Sequence, residues 1–236
     1  MSRRIPPDRF QQLVDCATQV LIERGYAHTQ MADVAEAMGV GKGTLYLYVE
    51  SKEALFDLVV RSADAEHSLT TPLKLPLPTP RPGETLQHVR NRVAKQPPLR
   101  ALLAALGRKR VTDPRAELTG IVREMYRSLS TNRRAIKLMD RSAQFHPELA
   151  AVWFTGARGA IVEALATYLE SRIRLKLFCA VADTGVAARV ILETIVTWAV
   201  HRHWDPSPHV IDDRVAEDIV VQFIVGGLMK EARPCT

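Results

Sequence analysis

The sequence predicts an all-α protein: an N-terminal three-helix unit containing a helix-turn-helix, followed by a larger helical domain. Three observations carry this expectation. Apolar residues recur every three or four positions through most of the 236 residues, and no run alternates well enough to suggest a sheet. A glycine-centred break at Gly39 separates two short amphipathic segments. Proline, glycine and polar clusters divide the rest into further helix-length pieces.

The first helix is expected from about Asp8 to Arg24, with Phe10, Leu13, Val14, Ala17 and Leu21 on one stripe and Gly25 as its stop. Thr29 is placed to cap the second, whose Met31, Val34, Ala35 and Met38 form one apolar face. Gly39 follows directly, where helices commonly end in a left-handed residue that glycine adopts without strain. Val40 fills the gap before the next helix, which is brief. Leu45 and Val49 face inward there, leaving Lys42, Gly43, Thr44, Tyr46 and Tyr48 for the outer surface. Ser51 caps a fourth helix that starts at Lys52 and fades near Ser68.

Two outward tyrosines on so short a helix suit a DNA major groove. A tyrosine offers a hydroxyl to a phosphate oxygen and a ring edge to a thymine methyl. Lys52 sits where a helix N-terminus already favours phosphate. Helix-turn-helix units also serve as plain packing elements, so this pattern alone leaves DNA binding open.

From about Asp8 to Leu58 the sequence resembles the DNA-binding domain of the tetracycline-repressor (TetR) family. The parallels are Glu23-Arg-Gly-Tyr26, Thr29-Gln-Met-Ala-Asp-Val-Ala35, Gly39-Val-Gly-Lys-Gly-Thr-Leu-Tyr46 and Ser51-Lys-Glu-Ala-Leu-Phe56. The resemblance implies that Lys42, Gly43, Thr44 and Tyr46 reach or closely approach base edges, and that Thr29, Tyr48 and Lys52 hold phosphates. Two departures stand out: Gly41 replaces a common serine, removing a cap, and Val49 replaces a common aromatic residue.

The resemblance also implies a ligand-responsive regulator, usually a repressor, that binds a palindromic double-stranded DNA operator as a homodimer and answers a small molecule. Its implied layout is a helix-turn-helix domain over 1–50, a connecting helix over 51–68 and a helical ligand-sensing and dimerisation domain over 84–236. Between these lies a Pro-rich linker, 69–83, with five of the fourteen prolines; it cannot be helical and favours extended geometry.

Candidate helices in the larger domain are about 84 to 95, 98 to 107, 114 to 130, 132 to 144, 148 to 175, 184 to 203 and 213 to 230. The last two are the expected dimer interface, through Ile191, Ile195, Ile219, Phe223, Gly226 and Gly227, because a helix that is apolar nearly all round must be buried on several sides. Met125, Tyr126, Met139, Phe145, Trp153, Phe154 and Trp198 are candidate walls of an effector pocket. They are adaptable or aromatic and suit an apolar or aromatic molecule.

Charge distribution qualifies the DNA reading. The formal net charge is +6, yet residues 1 to 50 hold five Lys/Arg against six Asp/Glu, a net of −1. Placement of a few cations, including Arg3 and Arg4 on an N-terminal arm, therefore matters more than bulk charge. Residues 100 to 176 hold fifteen Lys/Arg against seven Asp/Glu, read as solvated helix faces or as a site for an anionic ligand.

Cys16, Cys179 and Cys235 are scattered and imply neither a disulfide framework nor a metal site. His201 and His203, two apart on a helix, point in different directions, so neither metal nor cofactor is expected. No phosphate-binding glycine loop or nucleophile elbow points to an enzyme. No apolar stretch of span length and no signal peptide is read, so a cytoplasmic protein without a membrane partner is expected. The competing reading is a dimeric small-molecule-binding protein whose helix-turn-helix only packs.

Overall fold

The computed structural model describes residues 7–63, 74–95, 99–207 and 210–229. The helices are α1 (Pro7–His28), α2 (Met31–Ala37), α3 (Lys42–Leu45), α4 (Lys52–Ser62), α5 (Glu84–Lys95), α6 (Arg100–Leu106), α7 (Pro114–Thr131), α8 (Arg133–Ala143), α9 (Pro147–Ala150), α10 (Gly159–Arg174), α11 (Thr184–Ala199) and α12 (Asp213–Leu228). Ala151–Arg158 forms wider π-helical turns, and His201–Trp204 a 3₁₀ turn. Among the described residues β pairing is limited to two isolated bridges, so the all-α expectation holds. Arg3, Arg4, Cys235 and residues 69–73 of the Pro-rich stretch lie outside the described residues.

The chain divides into two compact units. The first comprises Met1–Lys95 and Arg134–Thr155, the second Gln96–Arg133 and Gly156–Thr236.

In the first unit α1 packs on α2 and α4, α2 on α3, and α4 on α5. The expected stripe of α1 and the apolar faces of α2 and α3 are all buried: Phe10, Leu13, Ala17, Leu21, Val34, Leu45 and Val49 are shielded from solvent. Gly25 kinks α1 rather than ending it outright, with φ at 75° and ψ at 161° inside the helical run. A Cβ here would also lie 3.0 Å from the Arg141 carbonyl oxygen. The same arginine donates from Nε to the Ile22 carbonyl at 3.1 Å and from Nη2 to the Glu23 carbonyl at 2.7 Å, satisfying acceptors that the kink frees.

In the second unit α7 packs on α6, α11 and α12, while α10 packs on α6 and α11. Carboxylates start three of these helices. Asp113 Oδ1 accepts the Ala116 amide at 2.9 Å, Asp183 Oδ1 the Val186 amide at 2.9 Å, and Asp212 Oδ1 the Arg214 amide at 2.8 Å. Leu118, Ile121, Val122 and Met125 of α7, at helical spacing, are buried as its core stripe, while Leu129 on the same face is half-buried.

Several of the arginines in residues 100 to 176 lie against carboxylates. Arg123 reaches Glu217 at 2.8 Å and Asp218 at 2.5 Å, Arg127 reaches Glu217 at 3.0 Å, and Arg158 reaches Glu193 at 2.6 Å. Arg133 and Arg202 both pair with Asp213, and His203 Nε2 lies 3.5 Å from the same carboxylate. Burial, with the two neighbouring guanidinium groups, lowers the His203 pKa. Arg172 is wholly buried, its Nε 2.7 Å from Glu117 Oε1. Arg108, Arg127 and Arg134 remain more than half exposed, so several of these pairs lie on the solvated faces expected from composition.

One expectation is corrected by composition itself. The helical run Pro147–Arg174 is long and apolar enough to cross a membrane by length and composition, where no such stretch was expected. Small residues interleave with its aliphatic ones, and between Leu149 and Leu169 only Arg158 and Glu163 carry charge.

Candidate nucleic-acid interface

The tip of the helix-turn-helix is built by a turn and one helical turn. The α2 run ends at Met38, and Gly39 takes φ 65°, the left-handed conformation that its position requires. Gly41 is the N-cap of α3 and offers no side-chain bond; its carbonyl accepts the Thr44 amide at 2.8 Å. A serine there would have supplied the missing cap.

Lys42, Gly43 and Tyr46 are exposed and Thr44 is half-buried, so these four stand together on the outer side of α3. Leu47 is exposed beside them. Leu45 and Val49 anchor the opposite side.

Tyr48 departs from its expected outward position: its side chain is only 5% exposed. The reason is geometric. Regular helix stops at Leu45, and the Tyr48 and Val49 amides both turn back to the Leu45 carbonyl, at 2.9 and 3.1 Å. Tyr48 lies three residues after Leu45, which puts it on the inward side with that leucine.

Thr29 also differs from its expected role. It is buried, its hydroxyl donating to the Gly25 carbonyl at 2.8 Å, while Gln30 is the N-cap of α2. The Gln30 amide donates to Asp33 Oδ2 at 2.8 Å, which closes the start of α2. Thr29 thus ties α2 to the kink in α1.

Lys52 opens α4 beside a ring. Its ammonium lies 4.5 Å from the Tyr26 ring centroid and donates to the Ala27 carbonyl at 3.3 Å. Three N–H donors on an ammonium leave two for an incoming oxygen. Burial lowers the Lys52 pKa, opposed by Glu53 and Asp33. The Tyr26 hydroxyl donates to Glu53 Oε1 at 3.2 Å; burial and that carboxylate push the phenol up to about 12. Glu53 itself is lowered by its own backbone amide, the Ser51 hydroxyl and Tyr26. Ser51 Oγ accepts the Ala54 amide at 3.1 Å, capping α4 as expected.

One neighbour of this tip was not anticipated. Residues 74–83, the described part of the Pro-rich stretch, run alongside the junction between α3 and α4, with Leu77 bridged in parallel to Val49. A proline-rich run has no periodicity from which such a pairing could be read.

The other candidate residues fall in different places. Met139, Phe145, Trp153 and Phe154 belong to the first unit, where Trp153 Nε1 donates to Asp140 Oδ1 at 2.6 Å and the exposed Phe145 stands edge-on to His28 at 5.0 Å. Met125, Tyr126 and Trp198 belong to the second, where the Tyr126 hydroxyl donates to the Trp198 carbonyl at 3.3 Å.

Ile219, Phe223, Gly226 and Gly227 are exposed on α12, but Ile191 and Ile195 of α11 are buried within their own unit. The outward stripe of α11 is Val186, Val190, Thr194 and Trp198, spaced four apart, with Val215, Ile219 and Phe223 facing out on α12. Between the two helices lies an open apolar groove of about 510 Å³, floored by Ile191, Val220 and Ile224.

These features define a helix-turn-helix unit: α3 packs on α2, α2 on α1 and α1 on α4, with a helical body encoded after it. Residues 13–59 match the family model of bacterial regulatory proteins, tetR family, a likeness carried by this segment alone. The fatty acid metabolism regulator protein of Bacillus subtilis (strain 168) is 40% identical over 45 residues, 19% of this chain and 23% of that one. The HTH-type transcriptional repressor DhaR of Mycobacterium sp. (strain GP1) is 36% identical over 66 residues, 27% of this chain and 33% of that one. The matched segments therefore span between about a quarter and a third of these curated relatives. The ketosteroid transcriptional regulator KstR2 of Mycobacterium tuberculosis superposes with a TM-score of 0.54 at 17% identity, over 97% of this chain and 98% of that one, a likeness of fold.

Proposed function

We propose that the protein is a ligand-responsive, sequence-specific DNA-binding transcriptional regulator. In this reading it is a cytoplasmic repressor that holds a palindromic operator as a homodimer and is released by an apolar or aromatic small molecule. The observation that carries it is the exposed tip of Lys42, Gly43, Thr44 and Tyr46 within a segment that matches a family of regulatory proteins.

Thr44 and Tyr46 read base edges, Gly43 lets the backbone approach, and Lys42 and Lys52 meet phosphates. Tyr48 and Thr29 contribute chiefly by shaping the tip, given their burial. Residues 1–50 form the reading head, 51–68 connect it, and 84–236 hold the effector and the dimer contacts. A ligand that prefers the DNA-incompetent arrangement lowers operator affinity by that preference alone.

Substitutions at the tip separate these roles. Lys52→Ala is expected to weaken binding to every duplex and to lower the salt slope by about one, while Thr44→Ala changes which duplex is preferred. Fluorescence anisotropy on duplexes that the wild-type protein selects from a random pool measures both. If neither substitution changes affinity or preference, the helix-turn-helix only packs and the protein is a small-molecule binder.

A further inference from the structure

We propose that the proline-rich strap, residues 74–83, is a working part of the reading head, with Thr79 as the positioning residue that sets Ser51 and Lys52 for phosphate contact. This rests on the DNA-binding reading and deepens it.

The recognition helix has a weakness that its own backbone cannot repair. Regular helix covers only Lys42–Leu45, a single turn, and fixing one turn costs more conformational freedom than its one or two hydrogen bonds return. Its N-cap, Gly41, contributes no side-chain bond. After Leu45 the chain passes through residues 46–50 to the start of α4, where turn bonds from the Leu47, Tyr48 and Val49 amides to the Thr44 and Leu45 carbonyls end before Glu50.

The strap supplies the missing constraints at that junction. The Leu77 amide donates to the Tyr48 carbonyl at 2.7 Å, and the Leu77 carbonyl accepts the Glu50 amide at 3.0 Å. Two residues on, the Thr79 amide donates to Glu50 Oε2 at 3.0 Å, and the Thr79 hydroxyl donates to Ser51 Oγ at 2.8 Å. Four bonds therefore converge on Tyr48, Glu50 and Ser51. The strap is itself tied down beyond this point: the Arg81 amide meets Glu84 Oε2 at 3.1 Å, and Thr85 Oγ1 donates to Asp57 Oδ1 of α4 at 2.8 Å.

The polarity of the contact argues for orientation over bulk stability. Pro78 and Thr79 are exposed and Leu77 is only half-buried, so little apolar surface is removed from water. What the strap fixes is direction. Ser51 caps α4, and Lys52 is the first residue of that helix, so a bond that sets the Ser51 hydroxyl also sets the entry angle of Lys52.

The experiment uses the full-length protein and a duplex selected by the wild type from a random-sequence pool, with affinity read by anisotropy. Thr79→Val removes the hydroxyl and keeps the backbone amide; it is expected to weaken binding about fivefold, as loss of one net hydrogen bond allows, while Thr79→Ser stays within about twofold. Because Thr79 acts through Lys52, Thr79→Val should change affinity by less than about twofold once Lys52→Ala is present.

Wild-type binding that is untouched by Thr79→Val, an equal loss in Thr79→Ser, or losses that multiply fully with Lys52→Ala would each overturn the role of the strap and leave the regulator reading standing. Failure of the wild type to select any duplex would overturn both.

Discussion

Glu117→Ala is expected to be the most destabilising single change in the second unit. The Arg172 side chain is 0% exposed, and its guanidinium is satisfied by Glu117 Oε1 at 2.7 Å, the Ala105 carbonyl at 2.6 Å and Ser171 Oγ at 2.9 Å. The same Glu117 oxygen accepts the Tyr168 hydroxyl at 3.3 Å, and Arg108 approaches Oε2 at 3.3 Å. Burial, followed by the Glu117 charge, raises the Tyr168 phenol well above its ordinary range.

Removing the carboxylate leaves a buried cation without its counter-charge, a loss of about 3–5 kcal/mol. Whole domains are stable by only about 5–15 kcal/mol, so urea unfolding should move far toward lower concentration. Adding Arg172→Met should recover most of the loss, since the orphaned charge then disappears. A midpoint unchanged in Glu117→Ala would show that the pair does not hold α7 to α10.

Phe223→Asp is expected to convert a dimer into a monomer. Phe223 is 74% exposed on α12, in line with Val215 and Ile219, and faces out beside Val186, Val190 and Trp198 of α11. An apolar stripe of this length on two adjacent helices is what a stable two-fold interface of about 1,200–2,000 Å² needs at its centre. A charge there must be buried or the interface abandoned. Sedimentation equilibrium should give twice the chain mass for the wild type and the single chain mass for Phe223→Asp, with far-UV dichroism retained. Equal masses would remove the proposed interface, and with it the palindromic operator.

The outward stripe on α11 also shows where sequence reasoning meets its limit. Ala187, Ile191 and Ile195 make as good a helical face as Val186, Val190 and Thr194, and composition does not distinguish the face that meets the chain's own core from the one that meets a partner. The α1 stripe had no such rival, and there the buried residues are the expected ones.

At the tip, helix-turn-helix spacing was legible because the Gly39 turn and the apolar positions on either side of it agree. Tyr48 was not, because its direction depends on where one turn of helix stops. Thr29 missed the cap by a single residue. The strap left no signal at all: its pairing with Val49 and Ser51 joins residues about thirty positions apart through backbone and hydroxyl groups, which periodicity does not report. The arginines of α7 likewise looked solvated, their carboxylates lying 90 to 95 residues further along.

In the proposed function a pair of these chains reads one DNA sequence. Its most direct test is an equilibrium titration of the wild-type protein onto a self-selected palindromic duplex and onto a scrambled duplex of equal length, across a range of salt. Two chains per duplex are expected, with affinity that falls linearly in logarithm with salt and a preference for the selected duplex of about a thousandfold or more. Equal affinity for the two duplexes at every salt concentration would contradict it.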